Sequence, residues 1–117
     1  MKKKTVYLSG KITGLPFWYA WLKFMIYDLY LTLLGFDVCN PIKTVPKNKN
    51  WHESMKICIE NLRKCDYIFM QYGWRSSIGA NVEFIEAAIQ RIYLINGSKK
   101  TRDKFDSLIP KLNDPSY

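Results

Sequence analysis

The sequence predicts a single α/β domain in which helices cover both faces of an open parallel sheet, giving three layers with four or five strands. Two observations support this fold class. Short β-branched and aromatic segments alternate with longer helical segments, and parallel strands need such crossover connections. The segment Asp66–Tyr72 is an almost unbroken apolar run, typical of a strand covered on both faces. A chain of 117 residues is long enough for one domain with a hydrophobic core.

Three regular elements are predicted before residue 50. A β-branched and aromatic segment that ends at Gly10 predicts a strand, and an apolar segment before Gly35 predicts a helix with that glycine in its C-terminal cap. Four residues before the turn dipeptide Asn40-Pro41 predict a second strand. These elements are Thr5–Ser9, Phe17–Leu34 and Phe36–Cys39, followed by a polar loop at Ile42–Asn50.

The second half of the chain continues the alternation. Apolar residues at helical spacing predict two amphipathic helices, whose inward faces are Met55, Ile59 and Leu62 in the first and Val82, Ile85 and Ile89 in the second. The predicted elements are helix Trp51–Lys64, strand Asp66–Tyr72, loop Gly73–Gly79, helix Ala80–Gln90 and strand Ile92–Ile95. We therefore assign residues 1–96 to one flavodoxin- or Rossmann-like domain. Residues 97–117 are predicted to be a basic C-terminal tail with room for a short helix.

Composition narrows the choice of partners. The net charge of +8 favours anionic partners such as nucleotides, although solvated loops and chain ends explain scattered charge equally well. Three cysteines without a CxxC spacing, and a single histidine, argue against a zinc site and against any other metal site or cofactor. We expect reduced thiols and a cytoplasmic protein.

The apolar segment Phe17–Leu34 is long enough to span a bilayer, but Lys23 and Asp28 interrupt it. Each would cost roughly 2.5–3.5 kcal/mol on insertion, so we predict no membrane association. Because the segment is apolar on nearly every face, it is expected to pack on the sheet and also on a second subunit of a homodimer or larger homo-oligomer. The aromatic residues concentrate here rather than among the basic loops, which disfavours nucleic-acid binding.

Three loops follow the carboxyl ends of the predicted strands, where ligands bind in open parallel sheets. The first, SGKITG at residues 9–14, contains two glycines that allow close backbone approach, but many such turns bind nothing. In the third loop, Ser76 or Ser77 can cap the following helix, whose free N–H groups attract an anion. Capping alone would explain these serines.

Glu83 has two interpretations. With Glu86 and Gln90 it forms a polar stripe that is typical of a solvated helix face. It also lies about one helical turn beyond Gly79, on the part of the helix that faces the strand-end crevice. The second interpretation makes Glu83 a carboxylate in a ligand site.

Four segments, YLSGKITG, NP, W-x6-C-I and GWRSSIGANVE, occur in this order between residues 5 and 96. Together they resemble the nucleoside 2-deoxyribosyltransferase-like superfamily, in particular its small bacterial and phage branch similar to 2′-deoxynucleoside 5′-monophosphate N-glycosidases. The resemblance implies that Glu83 attacks the anomeric carbon of a nucleoside or nucleotide and that Tyr7 orients this carboxylate. It implies a substrate-binding set of Ser9, Gly10, Lys11, Gly14, Asn40, Pro41, Trp74, Ser77 and Gly79.

One position departs from the family pattern in a way that bears on catalysis. Cys58 stands where the family carries an aspartate that assists the leaving base, and Glu60 would point about 200° away on a helix. Loss of general-acid assistance typically costs on the order of 10²–10⁴ in rate. We therefore expect either an enzyme that cleaves the N-glycosidic bond or transfers the 2-deoxyribosyl group through a covalent glycosyl-glutamate, or a nucleotide-binding module, a sensor or sponge, whose catalysis is weakened.

Overall fold

The computed structural model describes residues 3–110 and contains four strands and five helices in this part of the chain. They are β1 (Thr5–Ser9), α1 (Phe17–Leu33), β2 (Asp37–Cys39), α2 (Pro41–Thr44), α3 (Trp51–Leu62), β3 (Tyr67–Met70), α4 (Ile78–Ile89), β4 (Tyr93–Leu94) and α5 (Lys99–Leu108). The strands form one parallel sheet in the order β2-β1-β3-β4, which is the flavodoxin-like order. The predicted fold class is confirmed.

The alternation of side chains along β1 separates the two sides of the sheet. Val6 and Leu8 pack in a core cluster with Phe24 and Leu31 of α1. Tyr7 points to the opposite side and packs in the larger cluster that α3, α4 and α5 cover. Side chains two residues apart on a strand share a face, so Ser9 also lies on the α3 and α4 side.

Helix α1 buries only one stripe, made of Ala20, Phe24, Asp28 and Leu31. The helix ends as predicted, because Gly35 adopts a left-handed conformation with φ of +101°. Its outer face stays apolar and exposed, with Trp18, Leu22, Ile26, Leu29 and Leu33 along one side. Within residues 3–110 no helix has the length and apolar character needed to cross a membrane.

The predicted inward face of α4 is wrong. Val82, Ile85 and Ile89 are 40%, 45% and 46% exposed. The residues that face the core are mostly small, namely Ala80, Glu83, Phe84, Ala87 and Ala88. Small side chains let this helix lie close to its neighbours, so the bulkier β-branched residues are left on the outer surface.

The domain continues beyond its predicted boundary at residue 96. Helix α5 packs on α4 and buries Phe105, whose ring contacts that of Phe84 edge-on at 5.3 Å between centroids. Ser98 caps the helix by accepting a hydrogen bond from the backbone N–H of Thr101. The last residues of the predicted tail, 111–117, lie outside the described part of the chain.

Candidate active site

The carboxyl group of Glu83 is buried and held by two hydroxyl groups from β1. The Tyr7 hydroxyl donates a hydrogen bond to Oε2 at 2.5 Å, and the Ser9 hydroxyl donates one to Oε1 at 2.7 Å. Only 5% of the surface of Glu83 is exposed. The two donors belong to one rigid strand, so they fix the carboxylate in a single orientation. This position excludes the solvated-stripe interpretation of Glu83.

Burial dominates the ionisation of Glu83. It raises the pKa to about 7, although the hydrogen bonds from Tyr7, Ser9 and Cys58 act in the opposite direction because they favour the charged form. The same surroundings raise the pKa of the Tyr7 hydroxyl well above its usual value, chiefly through burial and then through the charge of Glu83. Tyr7 is therefore a neutral donor at physiological pH.

Cys58 joins the same cluster from α3. Burial, followed by the charge of Glu83, raises the pKa of its thiol to about 12. The thiol therefore keeps its proton and carries no charge beside the carboxylate. Glu60, the other acidic residue of this helix segment, lies on the exposed side of α3.

A cavity of about 410 Å³ opens beside Glu83 at the carboxyl ends of the strands. Its wall includes Gly10, Pro41, Cys58, Ser77 and Gly79, which the sequence had indicated together with Glu83. Tyr7 and Ser9 lie directly behind the carboxylate and are fully buried. The structure thus gathers eight of the predicted site residues around one cavity.

The N-terminus of α4 forms one end of the cavity. Ser77 caps this helix, and its hydroxyl accepts a hydrogen bond from the backbone N–H of Ala80 at 3.2 Å. Gly79 lies in the first turn, where an added Cβ would sit 3.1 Å from the Met55 sulfur of α3. The helix is twelve residues long, so its N-terminal dipole favours a negatively charged group at this end.

Asn40 shapes the cavity wall without lining it. Its side chain donates to Asp28 at 3.0 Å and accepts from the backbone N–H of Ile42 at 3.0 Å, which caps α2. Asp28 is buried in α1 and also pairs with Lys43 at 3.2 Å. Asn40 therefore holds Pro41 and Ile42 in the wall, where we expected a direct substrate contact.

Three other predicted substrate residues do not line this cavity. Trp74 is 5% exposed, stacks on Phe84 with ring centroids 4.7 Å apart, and borders a second cavity. Gly14 lies in the exposed loop after β1 with φ of +88°. Lys11 lies near Lys23. Burial of Lys23 lowers the pKa of its ammonium group, and the positive charge of Lys11 lowers it further.

Gly10 has a structural reason to be glycine that the sequence did not reveal. An added Cβ would lie 2.7 Å from the side-chain amide of Gln71, which is fully buried at the end of β3. The absence of a side chain at Gly10 therefore lets the loop approach Gln71 of the same protein, and not only a ligand. Gly10 also borders the cavity with its backbone.

Sequence reasoning missed several residues of the cavity wall. Phe17 and Trp51 contribute aromatic rings, and Lys47 and Lys49 contribute exposed ammonium groups at the rim. Lys47 already lies over the Phe17 ring, 4.4 Å from its centroid. The sequence did contain a signal for these four residues. Phe17 and Trp51 begin the helices α1 and α3, the two lysines lie in the loop before α3, and all these segments border the crevice.

Within residues 3–110, no three His, Cys, Asp or Glu side chains gather in an arrangement that could hold a metal ion.

Comparisons with known proteins identify the family of the chain. A search among curated proteins gives no match. The family profile described as "Domain of unknown function (DUF4406)" matches residues 4–96. This match covers well over half of the chain, which therefore belongs to the DUF4406 family.

Proposed function

We propose that this protein breaks the N-glycosidic bond of a nucleoside or nucleotide through a covalent bond between Glu83 and the anomeric carbon C1′, and passes the sugar to water or to a second base. One observation carries the proposal: a buried carboxylate at a cavity wall has each of its oxygens held by a hydroxyl donor, Tyr7 or Ser9. The resemblance of the ordered motifs to the nucleoside 2-deoxyribosyltransferase-like superfamily supports the same reaction.

The arrangement around Glu83 suits nucleophilic attack. Each hydrogen bond occupies one lone pair of a carboxylate oxygen and leaves another lone pair free to attack C1′. Orientation by two donors on one strand reduces the entropy that the carboxylate must lose on reaching the attack geometry. Because the pKa of Glu83 lies at about 7, activity should rise with pH as the nucleophile ionises.

The part of the cavity at the N-terminus of α4 suits a phosphate group. Ser77 and the N-terminus of α4 offer a hydroxyl group and a positive dipole end. Lys47 and Lys49 add two exposed positive charges at the rim. These features favour a 5′-monophosphate over a free nucleoside.

The test is release of free base from a panel of ribo- and deoxyribonucleosides and their 5′-monophosphates that covers purine, pyrimidine and pyridine bases. We expect release from at least one member, and a loss of at least about 10³-fold in the Glu83→Gln variant, because the amide cannot form the covalent intermediate. The matched control is Glu86→Gln on the same helix, which removes the salt bridge to Arg63 and should leave release unchanged. Release that survives Glu83→Gln, or no release from any member, would refute the proposal.

Cys58 supports a second candidate function, a nucleotide-binding module without turnover. A thiol with a pKa of about 12 is a poor proton donor for a departing base. Such a module would gain about 2.7 kcal/mol of stability at a ligand concentration 100 times its Kd, and the ligand would be recovered intact. Thermal unfolding with each nucleotide, followed by chromatography of the ligand, separates the two candidates.

A further inference from the structure

Within residues 3–110, no salt bridge reaches the carboxylate of Glu83. The salt bridges found in residues 3–110 join Lys43 to Asp28, Arg63 to Glu86 and Lys99 to Asp103. The groups around Glu83 are the hydroxyls of Tyr7 and Ser9 and the thiol of Cys58, which are all neutral. A buried carboxylate held only by neutral donors is stabilised further when a ligand brings a positive charge into the cavity.

The cavity wall can accept such a charge. Phe17 and Trp51 line it with partly exposed aromatic rings, 48% and 42% exposed. The faces of aromatic rings attract cations, as the Lys47 ammonium over Phe17 shows, and a cationic ligand would take the place of this exposed ammonium on the ring. A planar heterocycle with a positive charge would find both aromatic surface and the Glu83 carboxylate in this cavity.

Proton chemistry leads to the same type of ligand. The titratable side chains that line the cavity are Glu83, Cys58, Lys47 and Lys49. Glu83 is committed to attack, the Cys58 thiol holds its proton, and both lysines are exposed at the rim. A purine or pyrimidine that leaves as an anion needs a proton from the site, whereas a ring that is already positively charged leaves as a neutral molecule.

We infer that the substrate is a nucleotide whose base is a positively charged, N-linked pyridinium ring. This inference rests on the proposed function and narrows it to one class of leaving group. Glu83 provides the charge that attracts the ring, and Phe17 and Trp51 provide the aromatic wall. The 5′-phosphate lies at the end formed by Ser77 and the N-terminus of α4.

The reaction balances without a general acid. A carboxylate oxygen of Glu83 forms a bond to C1′ while the bond from C1′ to the ring nitrogen breaks. The electron pair of that bond moves to the nitrogen, cancels its positive charge, and the base departs neutral. Water then forms a bond to C1′, the bond to Glu83 breaks and restores the carboxylate, and the proton of the water passes to the solvent.

The first experiment compares nicotinamide mononucleotide and its 2′-deoxy form with the common purine and pyrimidine 5′-monophosphates of both sugars. We expect kcat/KM for nicotinamide release to exceed that for any purine or pyrimidine by about 100-fold or more, the usual contribution of a general acid. The reduced dihydronicotinamide mononucleotide has the same shape and a neutral ring, and should inhibit with a constant at least about 10-fold above the KM of the oxidised form.

The outcomes separate this inference from the proposed function. If purine or pyrimidine release equals or exceeds nicotinamide release, the inference fails and the proposed function stands. If no nucleotide of this panel is cleaved, the inference fails, and if the nucleosides of the first test are not cleaved either, the proposed function fails with it. Equal affinity for the oxidised and the reduced nucleotide would also overturn the inference, because it would show that the ring charge is not recognised.

A variant provides an independent readout. Cys58→Asp places an acidic group beside Glu83, and should raise the ratio of purine release to nicotinamide release by about 10-fold or more, because only the departing purine needs a proton. Cys58→Asn is the matched control, which has a similar shape and no acid and should raise neither rate. Equal gains of Cys58→Asp on both classes of substrate would overturn the inference. If this variant does not fold, the comparison of substrates with the unmodified protein remains decisive.

Discussion

Tyr7 and Ser9 reach the same carboxylate because side chains two residues apart on a strand point to the same face. The resemblance implied that Tyr7 contacts Glu83, and the crevice geometry indicated a place for Glu83 in a ligand site; the structure shows the hydrogen bond between the two residues and Glu83 in the cavity wall. The sequence did not reveal that Ser9 contacts the carboxylate. That contact depends on how closely α4 approaches the end of β1, a tertiary distance that no local pattern contains.

The hydrogen bond from Tyr7 should lower the pKa of Glu83 measurably. A hydrogen bond to a charged group contributes about 1.5–3 kcal/mol, so Tyr7→Phe should raise the pKa of Glu83 by roughly one unit or more above its value of about 7. Carbon NMR titration of the Glu83 carboxyl measures this directly. Tyr67→Phe on the opposite face of the sheet is the control, and an unchanged pKa in Tyr7→Phe would contradict the assignment.

Glu83 should also make stability depend on pH. Its pKa is raised from 4.5 to about 7 in the folded state, so the folded protein binds the proton more tightly than the unfolded chain. The raised pKa of Glu83 adds about 3 kcal/mol to the free energy of unfolding below pH 4.5, and this contribution is lost as the pH rises through about 7.

This dependence can be measured by urea unfolding between pH 5 and pH 8. The free energy of unfolding of the unmodified protein should decrease relative to that of Glu83→Gln across this range, so the variant gains relative stability at high pH. Glu86→Gln serves as the control on the same helix. Parallel pH profiles for the unmodified protein and Glu83→Gln would show that Glu83 ionises normally.

At the level of elements, helix α4 shows why hydrophobic periodicity can choose the wrong face. Val82, Ile85 and Ile89 have the larger apolar side chains, and periodicity weights them most heavily. The face that packs inward uses alanines and Phe84, because α4 lies between α3 and α5 and must approach them closely. Strand bounds were predicted to within about two residues, since Gly10 and the Asn40-Pro41 turn mark them locally.

Helix α5 should contribute strongly to stability despite its charged sequence. Phe105 is 1% exposed and contacts the core ring of Phe84, so Phe105→Ala should lower the free energy of unfolding by about 3–5 kcal/mol. Lys104→Ala, one position earlier and exposed, should change it by less than about 0.5 kcal/mol. Equal stability of the two variants would indicate that residues 97–110 are an independent tail.

For the whole molecule, the sequence predicted the layered α/β architecture because each crossover helix separates two parallel strands. The order β2-β1-β3-β4 places β1 next to β2, and the cavity lies where the chain leaves these two strands, at Gly10 and at Pro41. The shape of that cavity could not be predicted, because Phe17 belongs to one segment and Lys47 and Trp51 to another, and the two segments meet only in the folded protein.

The exposed apolar stripe of α1 leads us to expect a homodimer or larger homo-oligomer. Ile26 and Leu29 are 59% and 60% exposed on the side opposite the buried stripe. Light scattering should give at least twice the monomer mass of 13.8 kDa for the unmodified protein, and close to that mass for the double variant Ile26→Lys with Leu29→Lys. Tyr93→Lys, equally exposed on β4, is the control and should keep the assembly. A monomer for the unmodified protein would contradict the expectation.

Asp28 links the helix that carries the exposed apolar stripe, α1, to the wall of the cavity. It sits on the buried side of α1 and holds the Asn40 amide, which caps α2 and so fixes Pro41 and Ile42 beside the cavity. The helix that presents the apolar stripe is thus joined to the cavity wall by two consecutive hydrogen bonds. Any movement of α1, such as one caused by a subunit packed on its apolar stripe, would therefore change the position of Pro41 and Ile42 and with it the shape of the cavity.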